Sequence, residues 1–268
     1  ADNSSLFTGF LSDGFGVAGT NVTYNQSSAT YVAWNWKAGG TGVSNTDGTI
    51  TSTVSANVDA GFSIVSYTGT GLAASVGHGL SSAPEFYIIK RRTTADNWIA
   101  YYTVYDGSND YLVLNLTNAG AHGVSSAPTS SVFNLNGVPW NVENASGDDY
   151  IAYCFHSVDG FSKIGKYTGN GSTDGPFVYC GFRPAFLLAK NATTTQDWVI
   201  YDNARDPDNA VGNYLLPNTS GAEGSYVNYD FLSNGFKLRD AGTSLNISGH
   251  TYIFMAFAEM PFKYSTAR

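Results

Sequence analysis

Large and small residues alternate along TYVAWNWKA (Thr30–Ala38), DYIAYCFHS from Asp149 and TYIFMAFAE from Thr251. Each stretch opens with Tyr and a β-branched residue, then sets Trp34 and Trp36, Tyr153 and Phe155, or Met255 and Phe257 against small neighbours. Period-two alternation in aromatic and β-branched sequence predicts strands with two unlike faces. GFSIVSYTG alternates Phe62 and Ile64 against Val65 and Tyr67. FYIIK (from Phe86) and FLLAK (from Phe186) are near-continuous apolar runs, as expected of central strands covered on both sides. No long stretch carries a clean 3.6-residue apolar period, so the chain reads as all-β.

The pattern repeats. GFSIVSYTGTG at Gly61 matches GFSKIGKYTGNG at Gly160. APEFYIIKRRTTADNWIAYYTVYD at Ala83 resembles RPAFLLAKNATTTQDWVIYDNARD at Arg183. Lys90 and Lys190, Trp98 and Trp198, Tyr101 and Tyr201 pair at an offset of 100, and Phe133 and Phe236 at 103. Repeats of about 100 residues with turn residues every 8–12 positions predict tandem β-sandwich units, jelly-roll-like in outline. The expected organisation is the second half of a truncated repeat over 1–38, a linker over 39–60, and full repeats over 61–157 and 158–268. Residues 39–60, polar and without aromatics, read as an extended linker or a surface hairpin. The half-repeat is expected to be completed by upstream sequence or by another chain, since a lone half leaves open strand edges.

Composition narrows the functional classes. The chain has 268 residues, a net charge of −8 and 13% charged residues. Its best basic cluster is Lys90-Arg91-Arg92, too small for a phosphate-binding surface, so nucleic acid is not an expected partner. No apolar run is long enough for a membrane helix, and ADNSSLFTGF lacks the form of a signal peptide. Such a chain is cytosolically made, already processed, or a fragment. Cys154 and Cys180 do not make a disulfide framework. Cys154 reads as a buried filler, with a bridge to Cys180 left open.

YVAWNWKAGG, the DGTITSTVSAN segment, GFSIVSYTGTG, VGHGL, APEFYIIKRR, NWIAYY and the closing MPFKYSTAR together resemble a module of tail-fibre-like and other virion structural proteins of aquatic bacteriophages. The resemblance covers nearly the whole chain. It implies a place in the virion, assembly into a homo-oligomer with other virion proteins, and contact with host surface glycan. It brings no catalytic site.

The search for chemistry agrees with a non-enzymatic reading. His78, His122, His156 and His250 match no metal or catalytic spacing, and no cofactor or metal is expected. His78, in a Gly-rich turn, reads as a residue held by a backbone hydrogen bond. Asp96, Asp148, Asp149, Asp206 and Asp208 offer carboxylates for glycoside hydrolysis by chemistry alone, but their turn-like settings favour backbone shaping. Asp206, Asp208 and Asn209 could present oxygens to Ca²⁺, with a turn again the simpler reading. The recurring aromatics Trp98, Tyr101, Trp198 and Tyr201 are the candidate carbohydrate-binding residues, because exposed rings stack on sugars; core packing is the competing reading. Nine Asn-x-Ser/Thr sequons occur, among them Asn21, Asn115, Asn144 and Asn246. Beside the virion reading stand a carbohydrate-binding module of a secreted microbial protein and a subunit of a self-assembling extracellular filament.

Overall fold

The computed structural model describes residues 7–12, 14–18, 24–123, 125–137, 142–239 and 244–260. The described chain is all-β, built of antiparallel ladders with no helix. No helix long and apolar enough to cross a membrane occurs among the described residues. It divides into two compact units, Ala1–Lys37 and Ala38–Arg268.

In the first unit β1 (Phe7–Phe10) pairs with β2 (Phe15–Val17). Thr30–Ala38, expected as a strand, joins no strand, although exposure still alternates along Tyr31–Ala38. Backbone groups make a ladder only with neighbours to bond. The strands that flank the matching segment in the full repeats have no counterparts among the described residues of this unit.

The second unit opens with β3 (Val43–Asn45) and β4 (Ser52–Asn57). The first repeat follows: β5 (Phe62–Thr68), β6 (Ala74–Gly77), β7 (Phe86–Arg91), β8 (Trp98–Tyr102), β9 (Asp110–Val113), β10 (Ala121–His122), β11 (Val132–Leu135) and β12 (Asp149–Phe155). The second comprises β13 (Ser162–Thr168), β14 (Phe177–Tyr179), β15 (Pro184–Asn191), β16 (Trp198–Asp202), β17 (Val211–Leu215), β18 (Gly224–Leu232), β19 (Gly235–Leu238) and β20 (Thr251–Ala258).

One eight-stranded sheet runs β10-β9-β8-β7-β12-β5-β4-β3, beside a β11-β6 pair. The other runs β13-β20-β15-β16-β17-β18-β19-β14. The order β5-β12-β7-β8-β9-β10 thus recurs as β13-β20-β15-β16-β17-β18, and β11-β6 as β19-β14. Two details differ. The nine-residue β18 reaches across to pair with β19, whereas β10 is two residues long and the first sheet stops there. The segment expected as linker or hairpin is a hairpin, β3 facing β4 with Val43 opposite Val54. It adds to the outer edge of β5.

Each repeat encloses its own core. Tyr67, Tyr87, Tyr101, Phe133, Tyr150 and Cys154 belong to the first. Tyr167, Tyr201, Phe236, Tyr252, Phe254 and Cys180 belong to the second. The opposite faces of the central strands pack repeat against repeat: Phe86 meets Trp198 with ring centroids 6.4 Å apart, and Phe155 meets Phe257 at 6.2 Å. Hydrogen bonds from Gly120 N to Ala192 O (2.8 Å), Gln196 N to Thr117 O (3.0 Å) and Trp198 Nε1 to Val113 O (3.0 Å) stitch the same interface. Covering both faces explains why FLLAK, with its neighbours, is buried along almost its whole length. Both cysteines are free thiols in separate cores, so the open question of a bridge is answered by distinct locations. Burial pushes each thiol up to about 12.

Candidate functional site

The four aromatic residues singled out from the sequence do not make a sugar platform. Side chains three apart on a strand point to opposite faces. Tyr101 and Tyr201 therefore turn into the two cores, while Trp198 is buried against the first repeat. Trp98 alone is half-buried, with Lys90 Nζ 5.9 Å from its ring centroid. Tyr101 donates to the buried Glu143 carboxylate, and Tyr201 accepts from the Asn228 amide. Core packing explains their recurrence.

Most of the other sequence candidates are tied into structure, while Asp208 is exposed. His78 Nδ1 accepts from Leu80 N at 3.1 Å, which leaves Nε2 to donate to Thr129 O at 3.1 Å; burial lowers its pKa. Asp96 and Asp148 both meet the Arg91 guanidinium, and hydrogen bonds from Thr93 and Arg91 hold Asp148 below its ordinary range. Asp149 accepts from Thr68. Asp206 accepts the Gly212 and Asn213 amides as a turn residue. The sequon residues Asn144 and Asn246 are fully buried, each closing a turn by accepting from Thr70 N or Asn170 N at 2.8 Å. Asn115 holds Trp98 N at 2.9 Å. Asn21 lies outside the described residues.

Asp106, Asp110 and His122 bring three potential metal-ligand atoms within 4.8 Å of one another. His122 Nδ1 lies 2.6 Å from Asp110 Oδ1, and hydrogen bonds from Ser108 lower the Asp106 pKa. Two carboxylates and an imidazole suit a divalent cation chemically. In the second repeat Asn213 stands at the position of Asp110.

The feature that most distinguishes the two repeats is a seam. The second sheet curls until its edge strands, β13 and β14, face each other across a groove of about 480 Å³. Lys163, Lys166, Tyr167, Thr168, Phe177, Val178 and Tyr179 line it, with Phe254 behind. Phe177 is 45% and Tyr179 66% exposed. These large rings on an edge were invisible to the sequence reading. Their signal is a mismatch: strand register equates Phe177 and Tyr179 with Ser75 and Gly77 of the first repeat, since Val76 faces Phe133 as Val178 faces Phe236.

In the first repeat the equivalent seam is filled. Ile50 N donates to Ser75 O at 3.0 Å, Ser75 N to Thr49 Oγ1 at 2.9 Å, and Ser52 Oγ to Gly77 O at 2.9 Å. Farther along, Thr53, Val54 and Ser55 pair with Ser66, Val65 and Ile64 of β5. Ile50 and Val54 drop into the core. A Cβ on Gly77 would stand 1.7 Å from Asn45 Oδ1, so glycine is what lets the hairpin lie this close.

No curated protein and no solved structure matches the chain. The chain belongs to the family described as Domain of unknown function (DUF7483), whose model matches residues 1–261.

Proposed function

We propose that the protein is a non-enzymatic structural and adhesive component of a bacteriophage particle, a tail fibre or other appendage, that presents β repeats for assembly and attachment to the host surface. Each repeat is read as a jelly-roll-like β-sandwich unit. The observation that carries the reading is the repetition itself. One strand order is laid down twice and joined through an apolar, hydrogen-bonded interface. Such an arrangement suits a rigid spacer, with partner contacts left to edges and loops. Among the carboxylates that could serve catalysis, Asp148, Asp149 and Asp206 are engaged in an ion pair, a hydrogen bond and a turn. The sequence resemblance to virion proteins supports the location. Homo-oligomerisation would multiply weak contacts into avidity.

The test is the native mass of the intact chain by light scattering across a concentration series, with binding to host-type surface polysaccharide measured beside it. A stable oligomer that retains polysaccharide supports the reading. A monomer at every concentration that retains none defeats it.

One observation favours a second reading, a carbohydrate-binding module. Phe177 and Tyr179 supply exposed rings beside Lys163, Lys166 and the groove. It predicts that a single soluble glycan binds the monomer and that Tyr179→Ala abolishes the binding.

A further inference from the structure

We infer that the open seam between β13 and β14 is a docking site for one extended polypeptide strand contributed by another protein chain. This strand is neutral or acidic and carries two aliphatic side chains four positions apart. The inference deepens the assembly reading and rests on it for the source of the strand. Its warrant is the first repeat, where this chain shows how the seam is filled.

There, Thr49–Asn57 is that strand. Its first half bonds β6 and its second half bonds β5, while Ile50 and Val54, four apart, enter the core. The second repeat keeps the two receiving edges. Its β13 has one neighbour, β20, and its β14 has one neighbour, β19. Leu238 N donates to Pro176 O and Cys180 N to Asn234 O. By the alternation of an antiparallel ladder, the backbone groups of Phe177 and Tyr179 then point into the seam. They are the equivalents of Ser75 and Gly77, whose carbonyls receive Ile50 N and Ser52 Oγ. On the other edge Lys166 is the equivalent of Ser66, because Tyr67 faces Tyr150 as Tyr167 faces Tyr252; Ser66 is the partner of Thr53.

Part of β13 is already used. Ile164 N donates to Ser157 Oγ at 2.9 Å, and Ser162 exchanges hydrogen bonds with Val158. The open portion is Gly165–Thr168. The volume left, about 480 Å³, compares with roughly 30 Å³ for one water, so the groove admits a length of chain. Exposed strand edges recruit further strands unless blocked, and strand addition to an edge is an established mode of peptide recognition.

Charge selects the occupant. Lys163 and Lys166 line the groove, the Lys166 ammonium donating to Tyr105 O and lying 5.6 Å from the Tyr105 ring centroid. Two copies approaching through β13 would bring lysines together, so edge-to-edge pairing of this strand with itself is disfavoured. A strand without positive charge, as Thr49–Asn57 is, meets no such repulsion.

The experiment uses the full chain and a fluorescent peptide of the sequence TITSTVSAN, residues 49–57. Saturable binding is expected, weakened at least about tenfold when the peptide carries Ile50→Asp and Val54→Asp. A peptide with Thr53→Cys should form a disulfide with a Lys166→Cys chain and not with a Ser220→Cys chain; the native thiols are buried. No saturable binding, binding indifferent to the two aspartates, or equal cross-linking at Ser220→Cys would overturn the inference. Native mass is recorded in parallel. An oligomer with no peptide binding overturns the inference while leaving the assembly reading intact. If that oligomer is lost in Phe177→Asp, the seam belongs to a second copy. Peptide binding by a chain that stays monomeric and retains no polysaccharide upholds the inference and removes the assembly reading.

Discussion

The seams of the two repeats are the same place in the same strand order, one covered and one open. Around the covered seam the residues are small where the hairpin lies: Ser75 and Gly77 on β6, with Val65 opposite Ala152 inside. Around the open seam they are large: Phe177 and Tyr179 on β14, with Phe254 opposite Gly165 inside. A Cβ on Gly165 would stand 2.9 Å from the Phe254 ring. That ring occupies space over β13 that Val65 takes in the first repeat, where Ile50 and Val54 complete the wall. The comparison teaches that closure is a local matter in this fold. In the second repeat Phe254, on the neighbouring strand, stands over part of the seam and leaves the groove beside it open.

A second contrast lies deeper. Glu143 sits, nearly fully buried, where the second repeat has Leu245. Tyr67 and Tyr167 donate to the backbone carbonyls of these two residues at 2.7 and 3.0 Å, so the backbone role is kept. Only the first repeat also places a carboxyl at this position, and burial raises its pKa to about 7.

The largest effect should come from breaking the covered seam. Val54→Asp places a charge among Ile50, Val65 and Val76 and should cost about 3 kcal/mol or more. Lys163→Asp on the open seam should change stability by less than about 0.5 kcal/mol. Denaturant unfolding of both variants checks the pair, and equal losses would mean that the two seams are not different in kind.

Next comes pH. Glu143 ionises near 4.5 when free and near 7 in the fold. The unfolded chain therefore loses its proton first as pH rises. The stabilisation is full below about pH 4.5 and is lost by about pH 7, a change of about 3 kcal/mol. Glu143→Gln keeps an acceptor for Asn136 N and turns its amide N–H toward Tyr101, whose hydroxyl then accepts; it should flatten that slope in urea melts taken from pH 4 to 8. A slope unchanged in the variant would assign it elsewhere.

A smaller effect sharpens the exchange of volumes. Gly165→Val should cost about 1–3 kcal/mol by crowding Phe254, and Phe254→Ala about 3 kcal/mol by leaving a cavity. The double variant, closer to the Val65 and Ala152 pairing, should cost less than the sum by at least about 0.5 kcal/mol. Simple additivity in chemical denaturation would show that the two positions do not compensate each other.

The smallest expected change in stability is at Tyr179. Tyr179→Ser should leave the melting midpoint nearly unchanged, since the ring is mostly exposed. It should nonetheless weaken whatever ligand the open seam takes, and titration beside the parent chain reads that effect.

Much of the fold was legible in the residues. Phe133 and Phe236, Tyr150 and Tyr252, and the two GFS segments mark equivalent strands, and their spacing survives in the ladders. The candidate site was not legible. Trp98 and Tyr101 looked like one strip because they recur together, although an offset of three already separates them across a strand. Thr30–Ala38 has the pattern of a central strand and joins no strand among the described residues. The weakly patterned segment around Ile50 and Val54 proved to be a core strand, because its alternate Ser and Thr hydroxyls face hydrogen-bonding edges rather than water alone.

Most of the strands and the equivalence of the two repeats could be read from the residues, because both follow from alternation and turn residues near in the chain. Which edges are covered, which aromatics are buried and where a seam stays open emerge with the packed fold. Burial and edge pairing depend on what packs against a strand from residues far away in sequence, and the alternation of one strand carries no record of its neighbours.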